Sequence, residues 1–336
     1  MSDESFTCDT TDTEWDNFVY SHPLGNIFQT RALYNVYAET KNYFPISVAV
    51  TDPNSQELKG VMSGVIVREM DGFLGDFSAR SIVQGGPLVA SPSNKDVATE
   101  LVNKYDLHAS RSSLYTEIRN MYDVQDTLNH LDNYSFVDHL NFIINLNQSE
   151  EDLWGQIHKS RRKNINRAEK AGVVVEEIIS SDKIPTFYKL LCETYNNVKV
   201  PLADISLFES AFQQLVPKGM AKFYLARHEN DYIGARVVLL YKDQIYDWYA
   251  GAAIDALPFY PNECLVWYIL KWGIENNYSR FDFGGAGEPD KPYGPREFKR
   301  RFGGELVNYG RYTHQYSKEK IKVAEIGFKV YRKLFL

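Results

Sequence analysis

The chain has 336 residues, of which 44% are hydrophobic, 24% charged and 14% aromatic, with a formal net charge of −7. These are the proportions of a folded globular protein; they exclude a disordered or fibrous chain, and the length predicts two domains of about 150 residues each. The longest apolar run, around Val237–Tyr241, is far short of the ~18 residues of a membrane span, and the start Met1-Ser-Asp-Glu is acidic rather than signal-like, which predicts a cytoplasmic protein.

Cys8, Cys192 and Cys264 are odd in number and far apart, without a Cys-x-x-Cys pair, and read as packing residues. His22, His108, His130, His139, His158, His228 and His314 are equally scattered, with no His-Glu-x-x-His spacing, so no bound metal is expected. Divided near residue 145, the chain is asymmetric. The first part has 9 Lys and Arg against 20 Asp and Glu, a net −11, and the rest has 28 against 24, a net +4. A basic half within an acidic protein predicts a local anionic ligand, such as phosphate or RNA, or is simply a chance partition.

In chain order, helices are predicted around Glu14–Val19 and Arg31–Thr40. Strands follow at Pro45–Val50 and Lys59–Glu69, separated by the turn Asp52-Pro-Asn-Ser, and at Arg80–Val83, Tyr115–Arg119 and His139–Asn145. Helical spacing at Asn94–Ala109 and Val124–Asp132 makes this a mixed α/β lobe. The second half opens with one long predicted helix, from Glu150 to about Ala171, capped by Ser149 and stopped by Gly172. After it come strand Val173–Ile178, helices near Pro185–Tyr195 and Ser206–Leu215, a meander of Ala221–Arg227, Tyr232–Tyr241 and Gln244–Gly251, helix Asn262–Asn277 and strand Arg280–Phe283.

Three constellations could carry chemistry. Lys159, Lys163 and Arg167 stack at i, i+4 on the basic helix, beside Arg161, Arg162 and Lys170, and form either a phosphate-holding stripe or a solvated face. The stretch Arg280-Phe-Asp-Phe-Gly-Gly-Ala-Gly-Glu runs a strand into a glycine-rich loop, without dinucleotide or P-loop spacing, and is a ligand loop or a plain turn. Arg296-Glu-Phe-Lys-Arg-Arg-Phe-Gly-Gly has four cations in six residues. On a short helix Phe298 and Phe302 share one anchoring face and turn Lys299 and Arg300 elsewhere, so that a lysine beside apolar surface can serve as a fixed charge for an oxyanion or a phosphate.

Taken in order, the helix Leu153-Trp-Gly-Gln-Ile-His-Lys-Ser-Arg-Arg-Lys-Asn-Ile-Asn-Arg-Ala-Glu-Lys-Ala-Gly-Val, the meander ending Tyr249-Ala-Gly-Ala, and the block from Phe281-Asp-Phe-Gly-Gly to Phe298-Lys-Arg-Arg-Phe-Gly-Gly resemble the Fem-type aminoacyltransferases, a branch of the GNAT superfamily. The resemblance covers roughly residues 145–316; the N-terminal part shares only Ile27-Phe-Gln. It implies an α/β (α+β) fold of two GNAT-like lobes, each a mixed, mostly antiparallel sheet covered by helices, at 1–145 and 146–317, with the donor channel in the second. It further implies transfer of an amino acid from aminoacyl-tRNA to an amine of a peptidoglycan-precursor peptide, nucleotide- or lipid-linked, with no cofactor. Phe298 and Lys299 then stand at the reaction centre. The candidate substrate contacts are Lys159, Arg162, Lys163, Arg236, Tyr249, Asp282, Gly284, Gly285, Arg296 and Arg300.

Two departures matter. The segment Val198–Met220, broken by Pro201 and Pro217, is too short for the helical arm of some members, which points to the armless subclass. Neither Arg31 nor Lys41 matches the basic residue that the first lobe of some members offers to precursor phosphates. A CoA-dependent N-acyltransferase on the same scaffold is the alternative, although Leu257-Pro-Phe-Tyr-Pro-Asn-Glu lacks the glycine amides that hold a pyrophosphate. A non-enzymatic RNA-binding protein is the second alternative. Finally, Ile321, Ala324, Phe328, Tyr331 and Phe335 form an apolar stripe in Lys318–Leu336, expected to dock on the acidic first lobe or to touch an anionic membrane. A monomer is expected.

Overall fold

The computed structural model describes residues 10–69, 78–91, 94–317 and 321. The chain divides into two compact units: the residues up to Asp138 together with those from Tyr309, and His139–Asn308.

In the first unit short polar side chains start the helices. Thr11 forms a capping box with Glu14 ahead of α1 (Asp12–Ser21), Thr30 caps α2 (Arg31–Ala38) and Asn94 caps α3 (Lys95–Ala109). The strands are β1 (Tyr43–Thr51), β2 (Leu58–Val67), β3 (Arg80–Gln84), β4 (Leu88–Val89), β5 (Tyr115–Arg119) and, after the one-turn α4 (Gln125–Leu128), β6 (Ser135–Val137). They assemble with Arg311–Gln315 (β14 in chain order) in the order β1-β2-β3-β5-β14-β6, with β4 also on β2. Pairing is antiparallel except between β3 and β5, which are parallel and joined through α3. Alternation along β1 sends Ile46, Val48 and Val50 into a core shared with Met62, Ile66 and, from α3, Leu101, Val102 and Tyr105.

The tripeptide Ile27-Phe-Gln forms a single 3-10 turn that buries all three side chains. Gln29 is fully buried there. Its amide donates to the carbonyls of Ser63 and Gln84, both at 2.9 Å, and its carbonyl accepts the Ser63 N–H at 2.7 Å, so one side chain bridges β2 and β3.

The second unit contains β7 (Leu140–Asn145), α5 (Glu150–Gln156), α6 (Lys159–Lys170), β8 (Val174–Glu177), α7 (Ile184–Val198), α8 (Ile205–Leu215), β9 (Ala221–His228), β10 (Asp231–Tyr241), β11 (Gln244–Ala252), α9 (Pro261–Glu275), β12 (Arg280–Gly285), α10 (Gly294–Arg300) and β13 (Glu305–Asn308). Its sheet runs β13-β7-β12-β11-β10-β9-β8. The expected meander is β9-β10-β11, and α9 carries the chain to β12, parallel to β11. One face of the sheet, with Val238, Leu240, Ile245 and Phe281, packs on Leu265, Ile269 and Leu270 of α9. Cys264 lies buried in the same helix, where burial pushes its thiol up to about 11, in keeping with a packing role.

Two expectations need correction. The lobe boundary at 145 is displaced: β7, expected to finish the first lobe, sends Phe142 and Ile144 into the core of the second unit, and β14, expected in the second lobe, puts Tyr312 into the first. Alternation identifies a strand but not the sheet that accepts it. The helix Glu150–Ala171 is two helices. Ile157 is extended, φ −66° and ψ 130°, which buries its side chain to 1% exposure, and His158 restarts the chain as the cap of α6, its Nδ1 accepting the Ser160 N–H. Val198–Met220 holds one ordinary helix, α8, and no arm. The stripe within Lys318–Leu336 lies outside the described residues apart from Ile321.

Candidate functional site

β11 and β12 pair only over Gln244–Tyr246 with Arg280–Asp282 and then separate. The turn that ends β12 is built by Asp282, 1% exposed, whose Oδ1 accepts the Gly284 N–H at 2.8 Å and Asn141 Nδ2 at 2.6 Å. Gly284 follows in the left-handed region, φ +68°, where only glycine is unstrained. Burial pushes the Asp282 carboxyl above its usual range, against the opposing charge of Arg280.

The backbone carbonyls this turn turns outward are taken by one side chain. Lys299, on α10, donates its ammonium to Phe283 O at 2.7 Å, Gly285 O at 2.8 Å and Gly284 O at 3.4 Å. Burial lowers Lys299 to about 8; Asp247, and less strongly Asp282, resist that shift, and Arg236 adds to it. A cation is thus held, largely desolvated, at the divergence of two parallel strands. Phe298 and Phe302 do share a face, their rings 5.2 Å apart, and Arg161 of α6 lies 4.3 Å over Phe298 while pairing with the buried Glu263 of α9.

The second charge pair of the site is Arg236 with Asp247. Arg236, on β10, is 3% exposed and donates to Asp247 Oδ2. A bulge at Trp248 shifts the register from Val237↔Tyr249 to Val238↔Asp247, which brings Asp247 diagonally across from Arg236 on one face. Among the described residues Asp247 Oδ1 and Arg236 Nε are buried without a hydrogen-bond partner. An unmet acceptor beside a fixed cation is the arrangement of a site that completes itself with a ligand's N–H.

The expected site residues therefore fall into groups. Lys299, Asp282, Gly284, Gly285 and Arg236 come together, and Phe298 supports them from the back of α10. Tyr249 packs edge-on against Phe208 at 5.0 Å and lies 6.0 Å from the ring of Tyr195, whose hydroxyl also feels Asp247 and Arg236. Arg296, expected to touch substrate, clamps its own loop, donating to the carbonyls of Ala286 (2.8 Å), Pro289 (3.0 Å), Lys291 (3.1 Å) and Glu288. Arg300, likewise expected to touch substrate, is exposed and paired with Glu297 at 2.7 Å. Lys159, Arg162 and Lys163 line a separate open groove of about 470 Å³ with Trp154, Asn166, Arg167 and Lys170. Arg31 is occupied in the first unit, over Trp15 at 4.0 Å and paired with Asp12 at 3.2 Å.

Asp247, Asn141 and Glu263 were not among the residues expected from the sequence, and Arg161 was expected only as one cation of the basic helix. A signal existed for the first: Arg236 inside the apolar run Ala235-Arg-Val-Val-Leu-Leu is a buried charge that requires an acid nearby, and Asp247 is the acid on the adjoining strand.

Residues 157–300 match the family model described as an acetyltransferase (GNAT) domain. Among solved structures, FemX superposes with a TM-score of 0.70 at 16% identity over 97% of this chain and 99% of its own. L-PGS from Bacillus licheniformis gives 0.58 at 14% identity over 94% and 96%. A tandem GNAT protein from the clavulanic acid biosynthesis pathway gives 0.56 at 11% identity over 91% and 95%. No curated protein is significantly similar in sequence. The domain match lies within the second unit, which is therefore similar to a GNAT acetyltransferase domain. As a whole, the chain has the Fem-type fold, two GNAT-like lobes in tandem.

Proposed function

We propose that the second unit transfers an aminoacyl group from aminoacyl-tRNA to an amine of a peptidoglycan-precursor peptide, nucleotide- or lipid-linked. The observation that carries this reading is the ammonium of Lys299 fixed where β11 and β12 part, beside the unmet carboxylate oxygen of Asp247. An aminoacyl ester is already activated, so the protein needs to orient an amine and stabilise an oxyanion, without a covalent nucleophile of its own. The amine attacks the ester carbonyl, the C–N bond forms and the electron pair moves to oxygen. Collapse then breaks the C–O bond, and the proton lost by nitrogen ends on the ribose oxygen. Lys299 faces the oxyanion as a charge, its contact with Gly284 at 3.4 Å being the least costly to redirect. Asp247 Oδ1 accepts the N–H of the bound amine. On this reading the enzyme works as a monomer in the cytoplasm.

The fold alone does not choose between aminoacyl and CoA-linked donors. The chemistry of the segment before α9 argues against the second. It adjoins a groove of about 880 Å³ whose charged lining is Glu193, Asp231 and Asp255 against Lys189, with His228, a poor seat for a diphosphate. The test offers the enzyme a pool of tRNAs charged with labelled amino acids, or labelled acetyl-CoA, with a lysine-containing precursor peptide. Label is expected in the peptide from the tRNA pool; label from acetyl-CoA alone would overturn the reading.

A further inference from the structure

The first turn of a helix ordinarily favours acids, because it is the positive end of the macrodipole. In the second unit α5 obeys this, opening with Glu150, Glu151 and Asp152. α6 does the reverse: its first turn has no acid and contains Lys159, Arg161 and Arg162. Arg161 turns inward to Glu263. Several exposed or half-buried cations elsewhere on this unit are matched by carboxylates, Lys222 by Glu177, Arg227 by Glu176, Lys291 by Glu288 and Arg300 by Glu297, and the unmatched ones among the described residues, such as Lys189 and Lys218, stand singly. Among the described residues Lys159, Arg162, Lys163 and Lys170 have no carboxylate partner, and Arg167 bonds only the hydroxyl of Tyr260, at 3.1 Å. Lys159, Arg162 and Lys163 therefore crowd each other at the wrong end of a helix, a cost that an external anion relieves, while Arg167 and Lys170 lie in its last turn, where the macrodipole favours them.

Their arrangement narrows that anion. Lys159, Lys163 and Arg167 repeat at one helical step of about 6 Å, over a helix of about 18 Å, so the stripe matches a chain of regularly spaced charges rather than one ion. The groove has an aromatic wall as well: Trp154 lines it and is held by Trp267, ring centroids 4.8 Å apart. Cations that track a backbone beside an aromatic ring are the elements of a single-strand nucleic-acid site. A membrane surface fits poorly, since the apolar residues of α6, Ile165 and Ala168, are buried in the core and none is left to enter lipid. The groove also adjoins the reaction centre. His158 N–H donates to the Arg301 carbonyl at 2.9 Å, and Arg161 covers Phe298, so α6 and the helix of Lys299 are joined at one end.

We propose that the α6 groove binds a short single-stranded RNA segment, its phosphates along Lys159, Lys163 and Arg167 and a base against Trp154, and so directs the RNA's acylated end to Lys299. This rests on the aminoacyl-tRNA reading above, and it is tested without turnover. Anisotropy of a short fluorescein-labelled single-stranded RNA is measured against salt. The K159A/K163A/R167A variant is expected to flatten the log K against log salt slope by about 2, at about 0.7 per lost contact. W154A is expected to weaken binding about tenfold with the slope unchanged, and W154F, which keeps a ring on Trp267, to restore most of it. Thermal melting verifies that each variant is folded. A triple-variant slope equal to that of the wild type overturns the proposal, as does a wild type that binds phosphatidylcholine–phosphatidylglycerol vesicles but not the RNA. An active enzyme that fails to bind RNA counts against the groove alone; RNA binding by an enzyme that transfers nothing counts against the aminoacyl reading alone.

Discussion

Arg161 lies 4.3 Å over the ring of Phe298 and, through the same guanidinium, holds the carboxylate of Glu263, so a single side chain ties α6 and α9 to the helix that presents Lys299. Glu263 is 7% exposed, and its other partner is Asn164 at 3.0 Å. Removing Arg161 strands a buried carboxylate. R161A is expected to lose about 3–5 kcal/mol in urea denaturation, whereas R161M/E263Q, which removes both charges, should recover most of that loss. Equal stabilities for the two variants would mean that the pair is not what joins the helices.

The Lys299 ammonium should govern activity through its charge. K299M is expected to lower single-turnover transfer by about 10²–10³, the effect of one oxyanion donor, while the protein stays folded. Since burial lowers Lys299 to about 8, the rate should fall as pH rises through that value. Stability supplies a second readout. Between about 8 and about 10.4 the unfolded chain binds a proton at this lysine that the folded one does not, so this group makes stability rise with pH there, and K299M should remove the rise. A flat rate across pH 7–9 in the wild type would exclude the cation from the chemistry.

Asp247 resists the loss of that charge, and this gives its replacement a specific signature. In D247N the alkaline limb of the pH–rate profile should move to lower pH, because the main carboxylate favouring protonated Lys299 is gone. The variant also leaves Arg236, 3% exposed, without its ion pair, and should melt lower by several degrees. A lower melting temperature with an unmoved pH profile would assign Asp247 a purely structural part.

Gln29 makes the corresponding test in the first unit. Q29A leaves two carbonyls and one N–H of β2 and β3 unpaired in the interior, each costing about 1–3 kcal/mol. Denaturation with a probe in the first unit, such as Trp15 fluorescence, should show a loss of at least about 3 kcal/mol. A smaller loss would mean that water replaces the amide.

What the sequence by itself determined is what depends on neighbours along the chain. Thr11 with Glu14, Thr30 and Asn94 start helices through bonds of three residues' reach, and alternation in Ala221–Arg227 and Tyr232–Tyr241 marks strands without knowledge of their partners. The motif Phe298-Lys299 was legible as an anchor beside a cation, because Phe298 and Phe302 meet at one helical turn whatever lies beneath them. Only the tertiary structure decided which sheet took β7 and β14, since a half-buried strand reads the same in either. It alone decided the fate of each basic residue. Arg161, Arg296 and Arg300 were indistinguishable from Lys159 and Lys163 in sequence, and they differ by what folding brings to them: a buried glutamate, a ring of loop carbonyls, a neighbouring carboxylate, or open solvent. A charge is desolvated or matched by groups distant in the chain, and no local pattern encodes them.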